Sequence, residues 1–216
     1  MTGRGRAFPL VIAAPSGAGK TSLAHALVQR RSDVVFSTSA TTRPKREREK
    51  PGKDYFFVCD AEFDQMIEDG ELLEWATVHG RRYGTPRHGV EQALAQDHVV
   101  VLDIDIQGAR QVRELFPDAV LVFILPPSAA ELERRLMGRG SEESGEVHRR
   151  LTGARRELPL ALEFDYVIVN DEFERAVRAL ESIVTAERHR RSRSADLERA
   201  LERLDSELAE ILDRRG

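Results

Sequence analysis

The sequence has a single cysteine, Cys59, so it cannot form an internal disulfide. That excludes a disulfide-stapled secreted scaffold and fits a reducing cytoplasm. Cys59 stands before a helical pattern with no basic residue beside it, which marks it as buried filler and not a nucleophile. No stretch reaches the ~18 consecutive apolar residues that a membrane span requires. Arg4 and Arg6 precede an apolar run, but at about seven residues it is too short for a signal peptide's core and cleavage site. A cytoplasmic protein without a membrane partner is expected. The net charge is only −4, so the molecule as a whole has no strong attraction for a nucleic-acid polymer or an anionic membrane, although basic clusters can still grip phosphate locally. Internal repeats and low-complexity tracts are also missing.

What the chain does have is enough apolar sequence for one substantial core. Its 216 residues are 41% hydrophobic and 32% charged, which leaves room for small inserted lobes. Everything is organised around Ala14-Pro15-Ser16-Gly17-Ala18-Gly19-Lys20-Thr21. An apolar run, Phe8 to Ala13, precedes it, and a helical pattern follows with Leu23, Ala26 and Leu27 on one face. A strand, a glycine-rich turn and a helix opening at Lys-Thr make a phosphate cradle, because turn N–H groups and the positive helix end point at the same oxyanions. Lys20 can reach the β- and γ-phosphates of a nucleotide, and the Thr21 hydroxyl can ligate Mg²⁺. Ala14 stands where such loops usually begin with glycine, while Gly17 and Gly19 keep the turn tight.

Four further apolar runs read as buried strands: Val34–Phe36, Val99–Leu102, Ala119–Leu125 and Tyr166–Val169. Helical patterns near Gly108–Leu115, Ser128–Met137 and Phe173–Glu187 separate most of them. The alternation predicts an α/β fold with a parallel sheet covered on both faces, and ligands beyond the carboxyl ends of its strands. Two segments interrupt it. Residues 37–89, with shorter strand-like runs at Tyr55–Val58 and Leu72–Val78, read as an inserted α/β lobe. Residues 128–158 are arginine-rich, with Gly138, Gly140 and Gly145 near the middle, and read as two helices joined as a mobile lid. Beyond Glu187 comes a basic patch, Arg188 to Arg193, and then a stripe of Leu197, Leu201, Leu204, Leu208 and Ile211. The stripe fits equally a helix packed on its own domain and a short dimer seam.

Several polar groups lie just past these strand ends. Arg43 and Arg46 are positioned to grip a phosphate, though the same stretch read alone is equally a solvated basic loop. Asp103 and Asp105 follow the run Val99–Leu102, and strand alternation would put both on one side. An acid there is the expected partner of the phosphate loop, acting on Mg²⁺ directly or through water.

The order of these motifs resembles guanylate kinase. It runs from the phosphate loop through Ser39…Thr42-Arg43…Arg46, Gly52-Lys53-Asp54-Tyr55, Glu74-Trp75-Ala76, Tyr83-Gly84-Thr85 and Leu102 to Gly108. It continues through Pro126-Pro127-Ser128, Arg135 to Gly140, Arg150-Leu151 and Val169-Asn170-Asp171, spanning roughly residues 8–188. The resemblance implies a P-loop nucleoside monophosphate kinase with a core, a GMP-binding lobe and a helical lid. It implies Mg²⁺-dependent transfer of the ATP γ-phosphoryl group to GMP, in purine nucleotide metabolism, with dGMP open as a further acceptor. Carried over, Arg43, Arg46, Tyr55 and Tyr83 hold the GMP phosphate, while Ser39, Glu74, Thr85 and Asp105 surround the guanine. Pro15, Ser16, Gly17, Ala18, Gly19, Lys20, Thr21 and Ser22 bind ATP, with Asn170 near the adenine. Thr21 and Asp103 take the metal, and Lys20, Arg43, Arg46, Arg139 and Arg150 act on the transferring phosphoryl group. Neighbouring Arg134, Arg149, Arg155 and Arg156 are read as solvated surface or as partners of Glu131 and Glu146. The tail over 189–216 is not explained by the resemblance.

The chemistry of guanine supports that assignment separately. Guanine offers N1–H and a 2-amine as donors beside the O6 acceptor, so two carboxylates and a hydroxyl complement it. Adenine would leave the carboxylates unpaired, a mismatch that can cost ~10⁴ in selectivity. Two rival readings make separate demands. A related module that only binds a peptide would be expected to lose Lys20, Thr21, Arg43, Arg46 and Asp103, and a sugar-phosphate kinase has no use for Glu74 and Asp105.

Overall fold

The protein is described by a computed structural model covering residues 7–47, 49–78, 80–137, 144–194 and 196–215. Strand β1 (Pro9–Ala13), wholly buried, runs through the glycine-rich loop into α1 (Lys20–Arg30) and β2 (Val34–Phe36). An excursion follows: β3 (Ala40–Thr41), β4 (Phe56–Phe57), α2 (Asp60–Glu68), β5 (Leu72–Val78), β6 (Arg81–Pro86) and α3 (Arg87–Ala95). The chain returns through β7 (Val99–Asp103), α4 (Ile106–Leu115), β8 (Val120–Leu125), α5 (Ala129–Met137) and α6 (Ser144–Glu157). A 3-10 turn over Leu158–Glu163, β9 (Tyr166–Val169), α7 (Phe173–Arg188) and α8 (Leu197–Asp213) follow.

Five strands form one parallel sheet in the order β2-β7-β1-β8-β9, as the apolar runs predict. Its faces divide by strand alternation. Leu10 and Ile12 of β1 pack with Leu23, Ala24 and Leu27 of α1 and with Val177 and Leu180 of α7. Val11 faces the other way, onto Val90 of α3 and Ala109 and Val112 of α4. Each fully buried aliphatic side chain contributes roughly 1.5–3 kcal/mol, so a doubly covered central strand is the stable solution. The glycine-rich loop and Asn170 follow carboxyl ends of these strands, and Asp103 forms one.

The second sheet, β4-β3-β6-β5, is mixed: β3 and β4 are parallel, and β6 runs antiparallel to β3 and β5. Strands β3 and β6 are not among the sequence expectations. One is two residues long, and the other, Arg-Arg-Tyr-Gly-Thr-Pro, has no apolar period, so only pairing makes them strands. Residue 89 falls inside α3, whose Val90 belongs to the core.

Cys59 corrects the expectation of buried filler. It is exposed and caps α2: its sulfur accepts the Glu62 N–H at 3.4 Å, and Glu62 Oε2 accepts the Cys59 N–H at 2.6 Å. A cap lies where the helix meets solvent, so exposure follows from its role.

The basic patch also proves partly structural. The Arg193 side chain is 2% exposed, pairs with Glu187 at 3.1 Å, donates to the Asp118 carbonyl at 2.6 Å and lies 4.2 Å from the Phe8 ring centroid. Past this anchor, α8 buries none of its residues, and Leu201, Leu204, Leu208 and Ile211 are exposed. Of the two readings of the stripe, packing on its own domain is not what the structure has.

Candidate active site

The glycine-rich end of the cleft is assembled locally. Gly17 and Gly19 have φ of 90° and 94°, in the left-handed region. Added Cβ atoms would also collide, 2.9 Å from Leu136 Cδ2 at position 17 and 2.5 Å from Asn170 Nδ2 at position 19. Ala14 is not in the left-handed region, so replacing glycine there strains nothing. No side chain caps the start of α1, which leaves its first N–H groups facing the loop's concavity. Lys20 Nζ donates to the Ile104 carbonyl at 2.6 Å and pairs with Asp103 Oδ1 at 2.7 Å. The Thr21 hydroxyl donates to Asp103 Oδ2 at 2.6 Å. Pro15, Ser16, Gly17, Gly19, Lys20, Thr21 and Ser22 line a cavity of about 390 Å³, and Ala18 is buried behind it.

Thr21 and Asp103 thus present a hydroxyl and a carboxylate side by side. These hard oxygen donors suit Mg²⁺, which keeps several waters and takes substrate phosphate oxygens as further ligands. Among the described residues no cluster of three or more His, Cys, Asp or Glu could hold a metal alone. The donor set therefore fits a metal shared with a nucleotide.

The other end of the cleft draws on distant segments. A cavity of about 290 Å³ is lined by Ser39, Arg43, Arg46, Tyr55, Glu74, Tyr83 and Asp105 together with Ser16, Lys20, Thr21, Asp103 and Arg150. Each grip has a local cause. Thr41 Oγ1 accepts the Arg43 N–H at 3.1 Å and donates to the Arg82 carbonyl at 2.9 Å, which pins the arginine loop to β6. Gly52, at φ 75°, turns the chain so that Tyr55 faces inward, where its ring meets Tyr83 edge-on at 6.0 Å. Burial, then the nearby Asp103 charge, pushes the Tyr55 hydroxyl up to about 12, so it remains a proton donor at neutral pH.

Glu74 is 4% exposed on β5, opposite Thr85 of β6. A register shift between Leu72 and Glu74 lets Leu73 and Glu74 both turn inward. The Thr85 hydroxyl donates to Glu74 Oε1 at 2.6 Å. Thr85 has no exposed surface, so it acts on the cleft only through that carboxylate. Burial, opposed by this hydrogen bond and aided by the Asp105 charge, raises the Glu74 carboxyl to about 7.

Asp105 corrects the alternation argument. Strand β7 ends at Asp103, and Asp105 is the N-cap of α4, its Oδ1 accepting the Gly108 N–H at 2.9 Å. Both acids reach the cleft, but by a strand end and a helix cap and not by strand period.

Asn170 lies beneath the loop. It is 5% exposed and donates to the Ala18 carbonyl at 2.8 Å, outside the lining of either cavity. Arg135 joins it there, donating to the carbonyls of Ala18 and Asn170 and pairing with Glu131. Arg134 shares Glu131, whereas Glu146 pairs with Arg150 at 2.7 Å and not with Arg149. Arg139 lies outside the described residues. Sequence reasoning missed Glu49, which lines the cavity, pairs with Arg43 at 2.7 Å and accepts the Arg46 N–H at 2.8 Å. This bond to Arg43 holds the Glu49 carboxyl below its ordinary value. Glu157 was missed as well; it borders the donor cavity, raised by burial and then by the Asp105 charge. Nothing in their sequence context separates either from ordinary surface acids.

Comparison with known proteins follows the same outline. The family model for guanylate kinase matches residues 6–187. The chain is similar to the guanylate kinase of Myxococcus xanthus (strain DK1622), 49% identical over 185 residues that cover 85% of this chain and 88% of that protein. It is 48% identical to the guanylate kinase of Thermotoga maritima over 186 residues, 86% of this chain and 90% of that one. The crystal structure of guanylate kinase from Anaplasma phagocytophilum superposes with a TM-score of 0.80 at 34% identity, covering 93% of this chain and 96% of that one.

Proposed function

The chain belongs to the guanylate kinase family, and from that premise we propose that it transfers the γ-phosphoryl group of ATP to GMP, giving GDP and ADP. One observation carries the reading: a single cleft joins the Lys20–Thr21–Asp103 cluster to the ring of Ser39, Arg43, Arg46, Tyr55, Glu74, Tyr83 and Asp105. The glycine-rich loop takes the ATP phosphates on its N–H groups, with Lys20 as their cation. Arg43, Arg46, Tyr55 and Tyr83 take the GMP phosphate. Glu74 and Asp105 accept from the guanine donors, and Ser39 donates to O6. Thr85 positions Glu74, and Asn170 supports the phosphate loop from below.

The acceptor is a phosphate oxygen, already nucleophilic at neutral pH, so no side chain has to remove a proton. The work of this chain is alignment and charge neutralisation, shared by Lys20, Arg43, Arg46, Arg150 and Arg139. Thr21 and Asp103 would hold Mg²⁺, which would add to the neutralisation of the phosphate charge. The lid over 128–158 closes on the lobe over 37–89 and keeps water from the phosphoryl group. Residues 1–188 make up the kinase unit, and the tail over 189–216 is tied to it at Arg193 and stands apart beyond that anchor.

Wider parts of the reading are the cytoplasmic setting and dGMP as a second acceptor with the same base and phosphate. Among the described residues no helix is long and apolar enough to cross a membrane. The exposed stripe of α8 supports a homodimer, and light scattering over a concentration series tests it; a monomer throughout removes the dimer. The central test is an ADP-coupled assay with ATP, Mg²⁺ and a panel of GMP, dGMP, AMP and ribose 5-phosphate. GMP is expected to exceed AMP by ~10⁴ in kcat/KM. Comparable use of AMP, or no turnover by folded protein, would overturn the proposal.

A further inference from the structure

A carboxylate that discriminates between bases has to be held still, yet Glu74 lies on β5, an edge strand of the second sheet. Edge strands leave backbone groups unpaired along one side. At Trp75, next to Glu74, both of those groups are met by one side chain from the core. The Trp75 N–H donates to Gln111 Oε1 at 3.2 Å, and Gln111 Nε2 donates to the Trp75 carbonyl at 2.9 Å. A primary amide offers the donor and acceptor pair that a neighbouring strand would offer, so Gln111 completes the edge of β5 from α4.

The first two turns of α4 carry two other features of the site. Gly108, one turn before Gln111, leaves room for the carboxylate: a Cβ there would stand 2.3 Å from Glu74 Oε2. Asp105, a further turn back, caps the helix and lines the cleft. Gly108 neighbours Gln111 on the surface of α4 by its spacing of three, and the Asp105 cap reaches Gly108 by the same step. One rigid helix therefore presents the second carboxylate, the space for the first and the clamp on the strand that bears the first.

We propose that Gln111 is a positioning residue for base selectivity, clamping β5 to α4 so that Glu74 and Asp105 keep a fixed separation at the guanine edge. The inference rests on the guanine reading of the cleft. Gln111 touches neither phosphate grip, so its loss acts on recognition of the base and not on the phosphoryl step.

The test compares GMP with inosine monophosphate, which keeps N1–H and O6 but lacks the 2-amine. In Gln111→Leu, the GMP-to-IMP ratio of kcat/KM is expected to fall about tenfold through a higher KM for GMP, with kcat for GMP within about twofold of the parent. Trp75, the only tryptophan, gives a direct titration of both nucleotides by its emission. Should Gln111→Leu fail to fold, Gln111→Glu keeps the acceptor for the Trp75 N–H, loses the donor to its carbonyl, and should shift the ratio the same way by a smaller factor. An unchanged ratio in a folded variant overturns the inference, as does an equal loss for both nucleotides. A parent that uses GMP and IMP alike overturns the guanine reading and this inference with it. A parent that prefers GMP, paired with an unaltered variant ratio, overturns this inference alone.

Discussion

At the proposed donor end of the cleft, eight consecutive residues from Ala14 to Thr21 form the glycine-rich loop and the start of its helix, and one acid, Asp103, meets both Lys20 and Thr21. At the acceptor end, Ser39, Arg43, Tyr55, Glu74, Tyr83 and Asp105 arrive from separate strands, turns and a helix cap. The first is fixed by backbone geometry that two glycines permit. The second depends on a small mixed sheet whose edge is held by side chains. A local grip fails all at once when its cation goes, whereas a composite one can lose selectivity and keep chemistry.

The largest effect should therefore come from the donor end. Lys20→Ala is expected to lower kcat by ~10³ or more while leaving the GMP-to-AMP preference as it was. A change in base preference in that variant would dissolve the distinction between the two ends; steady-state kinetics with both acceptors decides it.

Glu74→Gln comes next, with the opposite pattern. The GMP-to-AMP ratio of kcat/KM should fall by ~10², because the amide no longer accepts from both guanine donors with full charge. The pH dependence sharpens this. With its carboxyl raised to about 7, Glu74 is protonated in the free protein below that pH and ionised above it. The parent's kcat/KM for GMP should rise with pH through about 7 and then level, and the variant should lack that inflection. Stability runs the other way. Between the ordinary value of 4.5 and about 7 the folded state holds a proton that the unfolded chain has released, so ligand-free stability declines as pH rises through that window. The full decline is roughly 3 kcal/mol, and Glu74→Gln should melt higher than the parent at pH 8. A lower melting temperature there would contradict the stated cause, burial of the charge.

Arg43→Ala should be the smallest of the three. Its guanidinium is held by Glu49 and lies 5.3 Å from the Tyr55 ring centroid, and Arg46 remains beside it. KM is expected to rise by roughly 10-fold for GMP and AMP alike. An effect on GMP alone would mean that phosphate and base grips are not separable.

Much of the donor end was legible in the sequence because its determinants are contiguous. Gly17, Gly19, Lys20 and Thr21 announce a turn, a dipole and two ligands within one helical turn of each other. Strands β1, β7 and β8 were legible for a related reason: a strand buried on both faces must be a continuous apolar run, whereas β9, read from the sequence as buried, lies at the sheet edge and leaves Val167 and Val169 exposed. Strand β6 was not, since an Arg-Tyr-Gly-Thr sequence becomes a strand only when β3 and β5 lie on either side of it. Cys59 went astray because a cap is a property of the helix it begins, and Asp105 because a strand's end cannot be read from its period.

The resemblance named Glu74 and Asp105, but neither Thr85's contact with Glu74 nor Gln111's hold on Trp75 follows from a motif, since each pairs residues far apart in the chain. The sequence by itself determined the parallel core and the glycine-rich turn between its first strand and helix, because local geometry and burial impose those patterns on neighbouring residues. Only the tertiary structure decided which acids keep a proton, which arginines are anchors and which face the cleft. Those properties depend on desolvation and on charges brought near from elsewhere in the chain.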